Sequence, residues 1–154
     1  MDDREYAARF VAFQLFDYKD YNGQLDKFLT DALLKLYEID VDQVHAFEIT
    51  FKKTCQRIFE ILGEKAFYRI NKDRSLGRTP NKALFDTLSW NFCKLNESEF
   101  DKLKAKRNRF KDEYISFMVN NELIFKAISD TTGSKAAVRN RFEEMNKFLK
   151  DFIQ

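Results

Sequence analysis

FKKTCQRIFEILGEKAFYRINKDRSLGRTPNKALFDTL, residues 51–88, is the stretch whose reading decides the fold. Its first part places Phe51, Cys55, Ile58, Phe59 and Leu62 at three- and four-residue steps, the spacing of one helical face. Gly63 ends that run, because glycine enters a left-handed conformation without the penalty of a Cβ. Ala66 and Phe67 follow at once. From Arg69 to Thr79 no apolar period is visible, and the segment reads as a basic polar loop with Arg69, Lys72, Arg74 and Arg78. Thr79-Pro80 reads as N-cap and first residue of the next helix, whose fixed φ proline suits. That helix carries Leu84, Phe85 and Leu88. The expectation is an all-α domain centred on two helices, with the intervening loop as its working surface.

The same periodicity extends outward in both directions. Tyr6, Ala7, Phe10, Val11 and Phe13 form a first helical face, with Asp2 or Asp3 as its cap. Asp17 to Gly23 breaks the pattern. Leu25, Phe28, Leu29, Ala32, Leu33 and Leu36 form the buried stripe of a second helix. Asp40 or Asp42 caps a third, in which Val44 and Phe47 continue into the Phe51 face. Beyond Leu88 the fourth helix adds Phe92 and Leu95, with Trp90 off that line. Asn96 or Ser98 caps a long fifth helix with Phe100, Leu103, Phe110, Tyr114 and Phe117 on one side. Asn120-Asn121 bends or ends it. Leu123, Phe125 and Ile128 mark a short sixth helix, and Val138, Phe142, Met145, Phe148, Leu149 and Phe152 a last one. Gly23, Gly63, Gly77, Gly133 and Pro80 all fall where a pattern breaks. The result is a single-domain bundle of six to seven helices over residues 1–154. No alternating strand pattern is sustained, and five Val give little strand propensity.

Composition bounds the function. With 44% hydrophobic and 34% charged residues, neither disorder nor a membrane protein is favoured. No run of about 18 apolar residues suggests a membrane span. The start, Met1-Asp2-Asp3-Arg4-Glu5, has no apolar h-region and reads as no signal peptide. Cys55 and Cys93 are far apart; Cys55 on its apolar face reads as a buried thiol, and a reducing cytoplasm is the expected compartment. The net charge of +2 hides an asymmetry. Residues 1–50 hold 5 basic against 11 acidic side chains, and the remainder holds 22 against 14. Such a split can mark a side facing a polyanion.

Catalytic motifs are sparse. His45 is the single histidine, in a helix start, and reads as a surface residue rather than a catalytic base. One His and two distant Cys make a zinc site improbable, so no metal or cofactor is expected. Neither a GxxxxGK nor a GxGxxG motif is present. Gly77-Arg78-Thr79-Pro80-Asn81-Lys82 could hold an anion at the fourth helix's N-terminus, although an ordinary loop and cap is the simpler reading. The run Lys102, Lys104, Lys106, Arg107, Arg109 and Lys111 reads first as a solvated helix. Its functional alternative is contact with nucleic-acid phosphate. Arg69, Lys72, Arg74, Arg78, Lys82, Lys104 and Arg107 are the candidate contacts to DNA.

Several short pieces, in order, resemble one bacterial family. They are Asp2-Asp3-Arg4-Glu5 with Arg9-Phe10, Phe28-Leu29, and Phe51 through Ile61-Leu62-Gly63 with Ala66-Phe67. Asn81, Leu84-Phe85, Phe125-Lys126-Ala127-Ile128, Thr132-Gly133 and Val138 through Arg141-Phe142 complete the set. They look like the helical region of proteins with a ParB/sulfiredoxin-like N-terminal domain, the group of the GmrSD-type modification-dependent restriction enzymes. The family's DGQQR-type nucleotide-hydrolysis motif and an HNH-type nuclease motif are absent, so no catalytic residue carries over. The resemblance implies a non-catalytic scaffold or assembly domain in a restriction or phage-defence protein. Its partners would be a nucleotide-hydrolysing or nuclease domain or subunit, or a second copy of itself. A nucleic-acid-binding module and a stand-alone interaction protein are the alternatives. The latter would need an exposed apolar patch, for which Trp90 and Phe16 are the places to look. Gly63, Phe67, Phe85 and Phe142 are expected to be structural. So are Arg9 and Arg141: if the first and last helices touch, each pairs with a nearby acid and closes the bundle.

Overall fold

The computed structural model describes residues 2–154, with side chains from Asp3 onward, so the proposed Asp2 cap lies outside the described side chains. Among the described residues the fold is all-α with one small hairpin. The order is α1 (Asp2–Leu15), a 3-10 turn (Tyr18–Asp20), α2 (Leu25–Leu36), α3 (Val41–Leu62), β1 (Tyr68–Ile70) and β2 (Leu76–Pro80). Then follow α4 (Lys82–Lys94), α5 (Glu97–Ala105), α6 (Arg107–Asn120), α7 (Glu122–Ser129) and α8 (Lys135–Ile153). That is eight helices rather than six or seven.

The extra helix arises because the long fifth helix is two. Lys106, at φ −107° and ψ 23°, interrupts it between α5 and α6. The apolar side of the two pieces remains continuous, with Phe100, Leu103, Phe110 and Tyr114 all buried. This is why periodicity alone did not reveal the break. The basic loop is corrected too. Residues 68–80 form an antiparallel hairpin in which Tyr68 pairs with Pro80 and Ile70 with Leu76. Its turn is closed by Asn71 and Ser75, with Arg74 at positive φ. Two strands this short, β1 of three residues and β2 mostly exposed, carry no alternating signal.

Helix ends follow local chemistry. Asp40 accepts the Gln43 amide at 2.8 Å, and Asn96 with Glu99 forms a reciprocal capping box. Gly63 ends α3 at φ +84°, a conformation that side chains resist. Pro80 does not start α4; it closes β2, and Asn81 is the cap. The Asn81 side chain accepts the Leu84 amide at 2.8 Å and donates to the Ile128 carbonyl at 2.7 Å, tying α4 to the end of α7.

Helix α4 is the axis. Residues Ala83 to Ser89, with Asn91 and Phe92, are all buried. On one side lies a core of Ile58, Ile61, Leu84, Leu88, Phe92, Leu103, Phe110, Met118, Ile124 and Met145. On the other lies an aromatic cluster of Phe13, Tyr18, Tyr21, Phe28 and Phe142. Phe67 meets Phe85 with ring centroids 5.1 Å apart, and Phe85 meets Tyr6 at 4.7 Å. Edge and tilted ring pairs of this kind add to the area they bury.

One part of the bundle is uncovered. Leu33, Leu34 and Tyr37 at the end of α2, with Val41, Val44 and Ile49 on α3, are exposed, Tyr37 to 90% and Val41 to 80%. The expected apolar stripes therefore fail at Leu33 and Val44, and elsewhere at Phe59 and Leu123, which are also exposed. The reason is tertiary: α2 packs on α1, and α3 meets α4 through its C-terminal half, where Thr54, Arg57, Ile58 and Ile61 are the buried residues.

Candidate functional site

Three charged side chains meet where α1, α4 and α8 come together. The Arg9 Nη1 donates to Asp86 Oδ2 at 2.8 Å, and the Arg141 Nη2 reaches the same oxygen at 3.4 Å. Asp86 is 1% exposed, Arg141 2% and Arg9 7%. Arg141 also donates through Nη1 to the Thr132 carbonyl at 2.6 Å. The first and last helices are thus joined through one acid on the central helix. Buried ions persist only when paired in this way. Burial pushes the Asp86 carboxyl up to about 6, against the opposing pull of Arg9 and Arg141. Burial likewise lowers the Arg141 guanidinium from its ordinary value, while Asp86 opposes that shift.

Above this network is a cavity of about 320 Å³, lined by Arg9, Tyr21, Lys82, Asn81, Gly133 and Arg141 among others. Each wall has a local cause. Asn81 caps α4 and so directs Lys82 and Ala83 to the rim. The Tyr21 hydroxyl donates to the Gly133 carbonyl at 2.8 Å and fixes the segment entering α8. Glu5, on α1, accepts from Arg9 Nε at 3.0 Å and from Lys82 Nζ at 2.5 Å. Those two bonds lower its pKa, the Lys82 bond most.

The candidate DNA contacts are spread over the hairpin, the start of α4 and the α5–α6 junction. Lys72 donates to the Val119 carbonyl and to Glu122 at 2.7 and 2.6 Å, at the C-terminal end of α6. Arg107 starts α6 and reaches the Glu60 carbonyl at 3.4 Å. Some 12 residues at 1.5 Å each separate those ends, about 18 Å. Lys104 pairs with Glu60 at 2.5 Å and Lys82 with Glu5, while Arg69 donates to Asn71 within the hairpin. Arg74 and Arg78 are exposed on the hairpin. At the α5–α6 junction Lys104, Lys106, Arg107 and Arg109 line an open depression of about 620 Å³.

Other candidates resolve simply. His45 is exposed, its Nδ1 3.5 Å from Glu48. Cys55 is half-buried rather than fully buried, and burial raises its pKa; both cysteines are free. Among the described residues no group of three or more His, Cys, Asp or Glu could hold a metal ion. No helix there is long and apolar enough to cross a membrane. Trp90 and Phe16 are not an exposed patch: Trp90 packs on Tyr18 and Phe142, and Phe16 on Phe28. Sequence reasoning missed Asp86, which sits within an apolar helical stretch; a lone acid flanked by Phe85 and Leu88 was the available signal. No protein-family model, curated protein or solved structure matches this chain.

Proposed function

We propose that the chain is a non-catalytic helical scaffold or assembly domain of a GmrSD-like restriction or phage-defence protein. The observation that carries this reading is the uncovered apolar surface at the end of α2 and the start of α3. Leu33, Leu34, Tyr37, Val41, Val44 and Ile49 stand exposed there. Several large apolar side chains left in water within one stretch of chain support a protein-contact surface. The sequence resemblance supplies the family, and a nucleotide-hydrolysing or nuclease domain or subunit, or a second copy of the chain, supplies the partner.

The test has two arms. Sedimentation of the purified chain from 5 to 200 µM, alone and with the N-terminal domain of a family member, should reveal association that Leu34→Glu/Tyr37→Glu abolishes without loss of helicity. Nucleotide hydrolysis or DNA cleavage by the chain alone, lost on a point substitution, would sink the scaffold reading. So would a monomer at every concentration with no complex.

A second reading is a nucleic-acid-binding module that contacts backbone phosphate. The basic depression at the α5–α6 junction favours it. It predicts DNA affinity that falls steeply with salt and shows little sequence preference. Fluorescence anisotropy at low and physiological salt decides it; affinity unchanged by Lys106→Glu/Arg107→Glu/Arg109→Glu counts against this surface.

A further inference from the structure

We infer that the cavity between α1, α4 and the segment entering α8 is a binding site for the phosphate group of a small soluble ligand. The proposal does not depend on the scaffold reading. Three cations from three helices, Arg9, Lys82 and Arg141, line one concave space. The hydrogen-bonding capacity of the two guanidiniums is not exhausted among the described residues. Buried Arg141 has no acceptor for its Nε among the described residues. Arg9 uses Nε and Nη1 on Glu5 and Asp86, and its Nη2 makes no hydrogen bond among the described residues.

The helix starts point the same way. An N-terminus ordinarily attracts acidic side chains, because its amides and dipole present positive charge. Helices α3, α5 and α7 obey, with Asp42, Glu97 and Glu99, and Glu122 in their first turns. Three helices do not: α6 opens on Arg107 at the α5–α6 junction, and the two that begin beside the cavity open on Lys82 (α4) and Lys135 (α8), none of them with an acid in its first turn. At α4 the Leu84 amide is taken by Asn81, while the Ala83 amide bonds no group among the described residues. Fixed positive charge and an open helix-start amide meet at a space of ligand size.

Glu5 is the internal occupant of this field. It is about a third exposed, and it bridges Arg9 and Lys82 from the rim. A phosphate carries more charge and more acceptors than a carboxylate, so it displaces Glu5 and takes both cations. The anion contacts are to Arg9, Lys82 and the Ala83 amide. Arg141 holds the wall through Thr132 and Asp86. The cavity exceeds what a bare phosphate fills, which leaves room for the substituent of a monoester.

The experiment is titration of the full chain with inorganic phosphate and, separately, with ribose 5-phosphate. It is followed by thermal unfolding and by phosphorus NMR line width, at constant ionic strength in chloride. The expected result is saturable stabilisation by one or both, of the form linked to site occupancy. Lys82→Ala should weaken it at least tenfold. Glu5→Gln should tighten it several-fold, because the competing carboxylate loses its charge. A purely structural Glu5 predicts the opposite, a less stable protein with no change in phosphate response. Monoester binding tighter than phosphate assigns an esterified ligand, and the reverse assigns the free ion. No saturable effect of either, or one that Lys82→Ala leaves unchanged, overturns the proposal.

Discussion

Replacing Asp86 by alanine should be among the most damaging single changes available to this fold. The carboxylate accepts from Arg9 at 2.8 Å and lies 3.4 Å from Arg141, and all three side chains are buried. Removing one partner of a buried ion pair costs about 3–5 kcal/mol, because the charge left behind has neither water nor a counter-ion. Here two guanidiniums lose their shared acceptor. At about 2–4 °C per kcal/mol for a chain of this length, the melting temperature should fall by roughly 6–20 °C. Equilibrium urea unfolding with an unchanged m-value is the assay. The cycle with Arg141→Met isolates the pair: the double variant should recover at least about 1 kcal/mol relative to the sum of the singles. A loss below about 1 kcal/mol for Asp86→Ala, or strict additivity, would mean that the arginines reach solvent and that this acid does not close the bundle.

The same residue predicts a pH dependence. Because burial raises its folded-state pKa to about 6, the native protein holds the proton between roughly pH 4 and 6, where the unfolded chain has released it. Stability from this group therefore falls as pH rises through that window. The wild-type advantage over Asp86→Asn should widen on acidification from about pH 6 to 4; a gap that narrows would mean the arginines win over desolvation. Tyr114→Phe should stabilise the protein by roughly 1 kcal/mol, since its buried hydroxyl lacks a partner among the described residues and an orphan polar group costs about that much. A shift of the urea midpoint downward would reveal a hydrogen bond. Asn96→Ala should cost about 1 kcal/mol by removing the capping box of α5, and an unchanged midpoint would show that tertiary packing alone holds that helix start.

What the sequence by itself determined is what lies within a few residues. A repeat of three and four specifies a helical face, and Asp40, Asn96 and Gly63 mark ends because each satisfies or releases backbone groups of its own helix. The pairing of Arg9 and Arg141 with an acid was foreseeable as a conditional, given that the outer helices touch. Which acid was not: Asp86 lies 77 residues from Arg9 and 55 from Arg141, and nothing local marks a charge that only packing can enclose. The break at Lys106 was hidden because the apolar side runs through it. The hairpin was hidden because its strands are short and β2 is mostly exposed. Burial of Leu33 and Val44 was misjudged because an apolar period says which side is sticky, not whether another element covers it. The basic residues of the hairpin and of α5–α6 form one list in the chain. Only the tertiary structure decides that Lys72, Lys82 and Lys104 already face Glu122, Glu5 and Glu60, and that Lys82 stands with Arg9 and Arg141 around a cavity.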